Sequence, residues 1–349
     1  MENCSGDSGN AASAPTGSDA KQQPTFIDLF SGIGGIRLGL EQAGLRCVFS
    51  SEIDAAARRT YAANFSEEPA GDVRLVNATT VPSHSLLAAG FPCQSFSISG
   101  RQGGFADARG TLFFEILRLA AAKATPVLLL ENVKHLVHHD NGRTLATILK
   151  SLEECGYAAS WRILNAKDFG VAQSRERIVV VADRGGRLFD FSALRTRPPV
   201  VLRDMLDAEG DFQWLRPDEY TLLENPAAAR SGLVFAGYRN KRIRVAGVRP
   251  GTERLSRVHK QPNRIYCSSG LHPTLSAGES SGRYFILHEG RVRRLTLAEC
   301  YRLMGFPEGF ARPGPASAQY RQVGNSVCVP MFTELGREVA RQLLGRGAP

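Results

Sequence analysis

Residues 25–30 form a short β-rich run, and the glycine turn Ser31-Gly32-Ile33-Gly34-Gly35 follows it directly. Apolar positions at Ile36, Leu38, Leu40 and Leu45 then suggest a helix ending near Gly44. A strand, a glycine turn and a helix in that order open a doubly wound α/β fold. A second strand over 47–51 ends at Glu52-Ile53-Asp54, and a helix over 55–63 follows it. Gly71-Asp72-Val73 is expected to close a third strand, and 86–89 to form a fourth. A helix over 111–122 leads to Pro126-Val127-Leu128-Leu129-Leu130, whose unbroken apolar run reads as a parallel strand buried on both faces. It delivers Glu131-Asn132-Val133 at its carboxyl end, where open α/β sheets place their sites. An amphipathic helix over 141–155, an edge strand over 161–164 and a strand over 178–182 complete this part. The period of two puts Arg175 and Arg177 on one face of the last strand and Glu176 on the other.

From about Leu188 the pattern changes. Prolines 198, 199, 217, 226, 250, 262 and 273, with many glycines, break the chain into short strands and loops. The expectation is a second, smaller, mostly β or irregular domain over 188–294, set beside a first domain over 24–187. Helical pattern returns over 297–304, and Gln322-Val323-Gly324-Asn325-Ser326-Val327 opens a terminal helix over 330–344, so 295–349 is read as a return to the first domain. Residues 1–23 carry almost no large apolar side chains and read as a disordered tail without the core of a signal peptide.

Composition narrows the class. A content of 43% hydrophobic and 22% charged residues suits a soluble globular protein, and no apolar run is long enough to span a bilayer. The seven cysteines contain no C-x-x-C pair, which argues against a disulfide framework or a zinc site and for a reducing compartment, the cytoplasm, or the nucleus if the source has one. No metal site is expected. The net charge of +9 is concentrated: between Arg230 and Arg294, 14 lysines and arginines face only Glu253, Glu279 and Glu289, a local net of +11. Polar and aromatic side chains such as Tyr238, His259, Gln261, Asn263, Tyr266 and Thr274 are interleaved there, which favours a nucleic-acid surface over a merely solvated one.

Three features carry candidate chemistry. First, Arg37 stands where a third glycine would complete G-x-G-x-x-G, so a dinucleotide pyrophosphate is disfavoured. Glu52 follows Gly32 by 20 residues, the place for an acid that binds ribose hydroxyls, and Asp72 is placed to accept from an adenine amino group. Asp54 fits better as a helix cap. A ribose and an adenine without a diphosphate describe S-adenosylmethionine. Second, in Gly90-Phe91-Pro92-Cys93-Gln94-Ser95-Phe96-Ser97-Ile98-Ser99-Gly100, proline stiffens the backbone before a thiol that opens a glycine- and serine-rich loop. Most free cysteines are small buried hydrophobes, but a thiol so placed suits a nucleophile that must be covered by a moving loop. Third, Glu131 at the end of a buried strand suits a carboxyl group of raised pKa.

Taken together, five segments in order resemble the cytosine-C5 DNA methyltransferases over about residues 24–345. They are Asp28-Leu29-Phe30-Ser31-Gly32-Ile33-Gly34-Gly35, Gly90-Phe91-Pro92-Cys93-Gln94, Glu131-Asn132-Val133, Gln173-Ser174-Arg175-Glu176-Arg177 and Arg321-Gln322-Val323-Gly324-Asn325-Ser326. The resemblance implies a Rossmann-like S-adenosylmethionine-dependent domain with a smaller target-recognition domain, acting on double-stranded DNA. It implies that Cys93 attacks C6 of cytosine, that Glu131 holds N3, and that Arg177, with Arg175 nearby, braces the base carbonyl. It places Phe30, Gly32, Gly34, Glu52, Ile53, Asp72, Val73, Pro92, Leu112, Asn325 and Val327 at the donor. Gln94, Ser99, Arg257, Lys260, Gln261, Arg264, Tyr266 and Thr274 are the expected DNA contacts. No obligate protein partner is implied, so a monomer is expected, with a cognate restriction endonuclease as a candidate companion. The alternatives are a tRNA-methylating branch of the same family and a non-enzymatic, donor-responsive DNA-binding regulator.

Overall fold

The computed structural model describes residues 23–92, 112–240 and 251–345. Cys93, Gln94, Ser99, the glycine-rich stretch after them and most of the N-terminal tail lie outside the described residues. The first part of the chain runs β1 (Thr25–Leu29), α1 (Gly35–Gln42), β2 (Arg46–Ser51), α2 (Ala55–Phe65), β3 (Leu86–Gly90), α3 (Leu112–Ala122), β4 (Val127–Val133), α4 (Arg143–Glu154), β5 (Ala158–Asn165), β6 (Gln173–Ser174) and β7 (Glu176–Asp183). Six of these strands form one sheet in the order β2-β1-β3-β4-β7-β5. The pairings from β2 through β4 are parallel, while β7 runs antiparallel to both β4 and β5. The apolar run of β4 is therefore buried as expected, but only its β3 side pairs in parallel. Asp54 caps α2, its carboxylate accepting from the Ala56 N–H at 2.8 Å. The third strand expected at 71–73 is not formed. Asp72 instead caps a single 3-10 turn, Val73–Leu75, because its short side chain accepts from the Arg74 N–H and so closes the backbone into a turn.

The sheet is covered on both faces. Phe113, Ile116, Leu119 and Ala120 of α3 and Leu145, Ile148 and Leu152 of α4 pack on one face. Ile36 and Leu40 of α1 pack on the other, together with Phe332, Leu335 and Val339 of α7 (Val329–Gln342). Two glycines explain how the last helix returns to the first. A Cβ on Gly39 would lie 2.7 Å from Phe332 Cβ, and one on Gly336 would lie 2.8 Å from Leu40 Cδ2 and Ala43 Cβ. The helices thus approach at positions where neither carries a side chain.

Composition changes at Leu188, but packing changes later, since Phe189 and Phe191 still belong to the core beneath α7. The second sheet has five strands, β8 (Tyr220–Leu222), β9 (Phe235–Arg239), β10 (Arg264–Cys267), β12 (Phe285–His288) and β13 (Arg291–Arg294), in the order β13-β12-β10-β9-β8. Between them, β11 (His272–Pro273) leaves this sheet and pairs in parallel with β6. α5 (Leu297–Arg302) and α6 (Ala316–Asn325) then lead to α7. The sequence reading gave no helix over 316–325, because Pro313, Gly314 and Pro315 precede a segment rich in small and polar residues. Its buried stripe, Ala318, Gln319, Gln322 and Val323, is half polar and carries little periodic signal. No helix of the described residues is long and apolar enough to cross a membrane.

Candidate active site

The carboxyl ends of β1, β3 and β4 open onto one cavity of about 810 Å³. Its lining includes Phe30, Gly32, Glu52, Ile53, Asp72, Val73, Pro92 and Leu112 from the first part of the chain and Asn325 from the end of α6. It also includes Glu131, Arg175 and Arg177, and, from the second lobe, Gln261, Thr274, Leu275, Ser276 and Ala277. Residues far apart in sequence thus share one space, which runs from the glycine turn to the second sheet.

At the glycine turn the backbone is left-handed at Phe30 (φ 56°) and at Gly32 (φ 56°). A Cβ on Gly32 would meet no atom within 4 Å, so the turn leaves open space beside its backbone. Glu52 fixes this loop: its carboxylate accepts from the Gly32 N–H at 2.8 Å and from the Asp54 N–H at 2.7 Å. Ile53, 64% exposed, presents an apolar side chain to the cavity. An acid, an apolar shelf and an open glycine turn suit a nucleoside of the kind S-adenosylmethionine carries.

Glu131 and Asn132 end β4 and do different work. The Asn132 amide donates to the Phe91 carbonyl at 2.8 Å, and its oxygen accepts from the Val133 N–H at 2.8 Å. Asn132 therefore anchors the backbone one residue before Pro92 and two before Cys93. Reading the sequence assigned a role only to the glutamate of this tripeptide; the adjacent asparagine, able to donate and accept at once, was the available signal. Glu131 is 8% exposed and forms an ion pair with Arg177, Nε to Oε1 at 2.9 Å. Burial pushes the Glu131 carboxyl above the ordinary carboxylate range, against the opposing charges of Arg177 and Arg175.

This geometry agrees with what similarity shows. The sequence matches the family of C-5 cytosine-specific DNA methylases over residues 24–341. The Type II methyltransferase M.NlaX of Neisseria lactamica is 41% identical over 327 residues, which covers 91% of this chain and 96% of that one. M.HhaI of Haemophilus parahaemolyticus is 38% identical over 325 residues, covering 91% and 94%. The chain belongs to the C-5 cytosine-specific DNA methylase family. Its activity is accordingly methylation of cytosine C5 in DNA. The fold is shared with the Dnmt2 methyltransferase of S. pombe, at a TM-score of 0.64 and 20% identity over 92% of this chain and 99% of that one.

Within this methylase two expected site residues, Gly34 and Val327, lie outside the cavity wall, and two that line it, Arg175 and Asp72, are engaged by other protein groups. Gly34 is not in the cavity wall; a Cβ there would lie 2.2 Å from the Phe65 ring, so the glycine permits packing of α2 on the turn. Val327, 5% exposed, belongs to the core with Met331 and Phe332. Arg175 reaches the cavity wall, but its guanidinium donates to the carbonyls of Leu275, Gly324 and Ser326. Burial and the neighbouring Arg177 charge push it down to about 9. Both carboxylate oxygens of Asp72 already meet the Arg74 guanidinium, which holds Asp72 below its ordinary pKa.

The second lobe is also more internal than its charge suggested. Tyr266, 3% exposed, packs against Phe235 and His272 inside β10, which leaves its ring no open face. Arg264 donates from Nε to the His259 carbonyl at 2.8 Å. Gln261 and Thr274 do face the cavity, with the Gln261 amide donating to the Thr274 carbonyl at 2.8 Å. Arg257 and Lys260 are exposed.

Proposed function

We propose that this chain transfers a methyl group from S-adenosylmethionine to C5 of a cytosine flipped out of a specific short double-stranded DNA sequence, through a covalent bond from Cys93 to C6. The observation that carries this reading is the buried Glu131–Arg177 pair, set in a cavity that continues both to the glycine turn and to Gln261 and Thr274. C5 of cytosine is a poor nucleophile. Addition of a thiolate at C6 makes C5 enamine-like, and charge then builds on the ring. Burial raises the Glu131 carboxyl above its ordinary range, which suits it to share a proton with N3 as charge builds on the ring, and Arg177 holds the carbonyl beside it. Phe30, Gly32, Glu52, Ile53, Pro92 and Asn325 would hold S-adenosylmethionine, whose sulfonium would supply an electrophilic methyl group and leave as the thioether S-adenosylhomocysteine. Loss of the C5 proton and expulsion of the Cys93 thiolate then restore the aromatic ring. C5 is inaccessible in a stacked duplex, so the base must leave the stack to reach this pocket.

The test is a duplex carrying 5-fluorocytosine at the target site. Fluorine cannot leave as a cation, so the enzyme should remain joined to DNA in a denaturation-resistant complex, and only with the donor present. Cys93→Ser should abolish that complex, because an alcohol is a far weaker nucleophile than a thiolate at neutral pH. A stable adduct in the serine variant, or turnover on tRNA with none on duplex DNA, would overturn the reading.

A further inference from the structure

Gln173 and Arg175 lie on the stretch that leads to Arg177, yet their hydrogen bonds go to main chain, apart from one that Gln173 Nε2 donates to Met304 Sδ at 3.1 Å. Gln173 is fully buried; its Oε1 accepts from the Leu275 N–H at 3.1 Å, and its Nε2 donates to the Leu303 carbonyl at 2.9 Å. Arg175, 2% exposed, donates from Nη1 to the Leu275 carbonyl at 3.0 Å. Its Nη2 donates to the carbonyls of Gly324 at 3.0 Å and Ser326 at 2.5 Å, the residues on either side of Asn325. One residue of the second lobe is therefore held by both of its main-chain groups, and the same guanidinium grips the end of α6. A separate contact joins the same parts. A Cβ on Gly324 would lie 2.6 Å from the Ala277 nitrogen and the Ser276 carbonyl carbon, so α6 sits directly on the backbone that follows Leu275. The β6–β11 pairing and the Thr274 hydroxyl, which donates to the Ser174 carbonyl at 2.9 Å, fix the register.

We propose that Gln173 and Arg175 are positioning residues that set the donor end and the DNA end of the cavity relative to one another, by fixing Leu275 and the turn around Asn325 through one shared anchor. This rests on the reading that Asn325 lines the donor site and that the second lobe faces DNA. A guanidinium suits the task because its planar fork supplies several donors in fixed directions, whereas an ammonium is a single mobile point. A carboxylate partner is absent among the described residues bonded to Arg175; three carbonyls take its place.

The experiment is steady-state kinetics of Arg175→Lys with donor and duplex DNA varied independently. We expect KM for both to rise together by about tenfold, with kcat falling less than about threefold, since the groups that touch the base are unaltered. A hundredfold loss of kcat with both KM values unchanged would make Arg175 a residue that acts on the base and overturn the proposal. So would a rise in one KM alone, or no change. If Arg175→Lys does not fold, Gly324→Ala tests the same anchor by displacing Ser276 and Ala277; both KM values should again rise, and failure to do so counts against the proposal. Calorimetry of the wild-type protein with S-adenosylhomocysteine separates the two levels. No binding there removes the donor reading itself, whereas binding in the wild type with unaltered variants removes only the positioning role.

Discussion

Glu131 with Arg177 and Glu299 with Arg293 are both buried ion pairs of the same two residue types, and they are completed differently. Arg293 and Glu299 are fully buried and doubly bonded, at 2.7 and 2.9 Å. Glu299 also accepts from the N–H groups of Thr296 and Asp207, and Arg293 lies 4.0 Å from the Phe212 ring centroid. Glu131 has one close approach from Arg177, and among the described residues no other group donates to its carboxylate. In one pair the carboxylate is saturated by four donors of the protein, and the pair holds the second lobe to α5. The other is left with acceptor capacity facing a cavity, which is where a substrate ring would complete it. Saturation of the carboxylate, more than burial, separates the structural pair from the one proposed to act on the base.

Replacing each glutamate by glutamine should therefore give opposite phenotypes. Glu131→Gln should lower kcat by about 10²–10⁴-fold while donor binding and thermal stability hold, because the loss falls on the transition state. Rapid-quench measurement of product formation checks this, and an unchanged kcat would erase the contrast. Glu299→Gln leaves the Arg293 charge without its anion, so urea unfolding should show a loss of about 3–5 kcal/mol, with kcat per folded molecule retained.

The same contrast between inward and outward side chains applies to the basic segment. Arg257 and Lys260 are exposed, whereas Arg239 lies over the Phe285 ring and Arg293 is internal. Lys260→Ala should weaken binding to every duplex and reduce the slope of log affinity against log salt by about one. An unchanged slope would show that this face does not meet phosphate.

The smallest expected effect concerns a third buried acid, Asp28 in β1, which is fully shut off from solvent. Burial drives its pKa up to about 8 from 3.8. Between those values the folded protein keeps a proton that the unfolded chain has lost, so this group makes stability fall as pH rises, by up to ~1.4 kcal/mol per pH unit. Asp28→Asn should remove that contribution. Denaturation at pH 6 and pH 9 checks it: the variant should lose less stability than the wild type over that interval, and parallel losses would contradict the assignment.

Much of this molecule was legible in the chain. The apolar run at 127–130 and the glycine turn after residue 30 gave the first sheet, because a buried strand and a left-handed turn restrict which residues can stand there. Glu131 was legible as well, by its place at the end of that strand. What the residues alone determined was therefore local: strand, turn, helix and the types of side chain delivered at their ends. The destination of each side chain belonged to the tertiary structure. A period of two put Arg175 and Arg177 on one strand face, yet Arg175 lies in the break between β6 and β7 and grips three carbonyls, while Arg177 in β7 meets Glu131. Tyr266 and Lys260 lie in one basic segment, yet one is buried and the other exposed. An arginine or a tyrosine suits a polar partner equally well inside and outside, and which partner it meets depends on what the folded chain brings near, for Arg175 carbonyls 100 to 151 positions away.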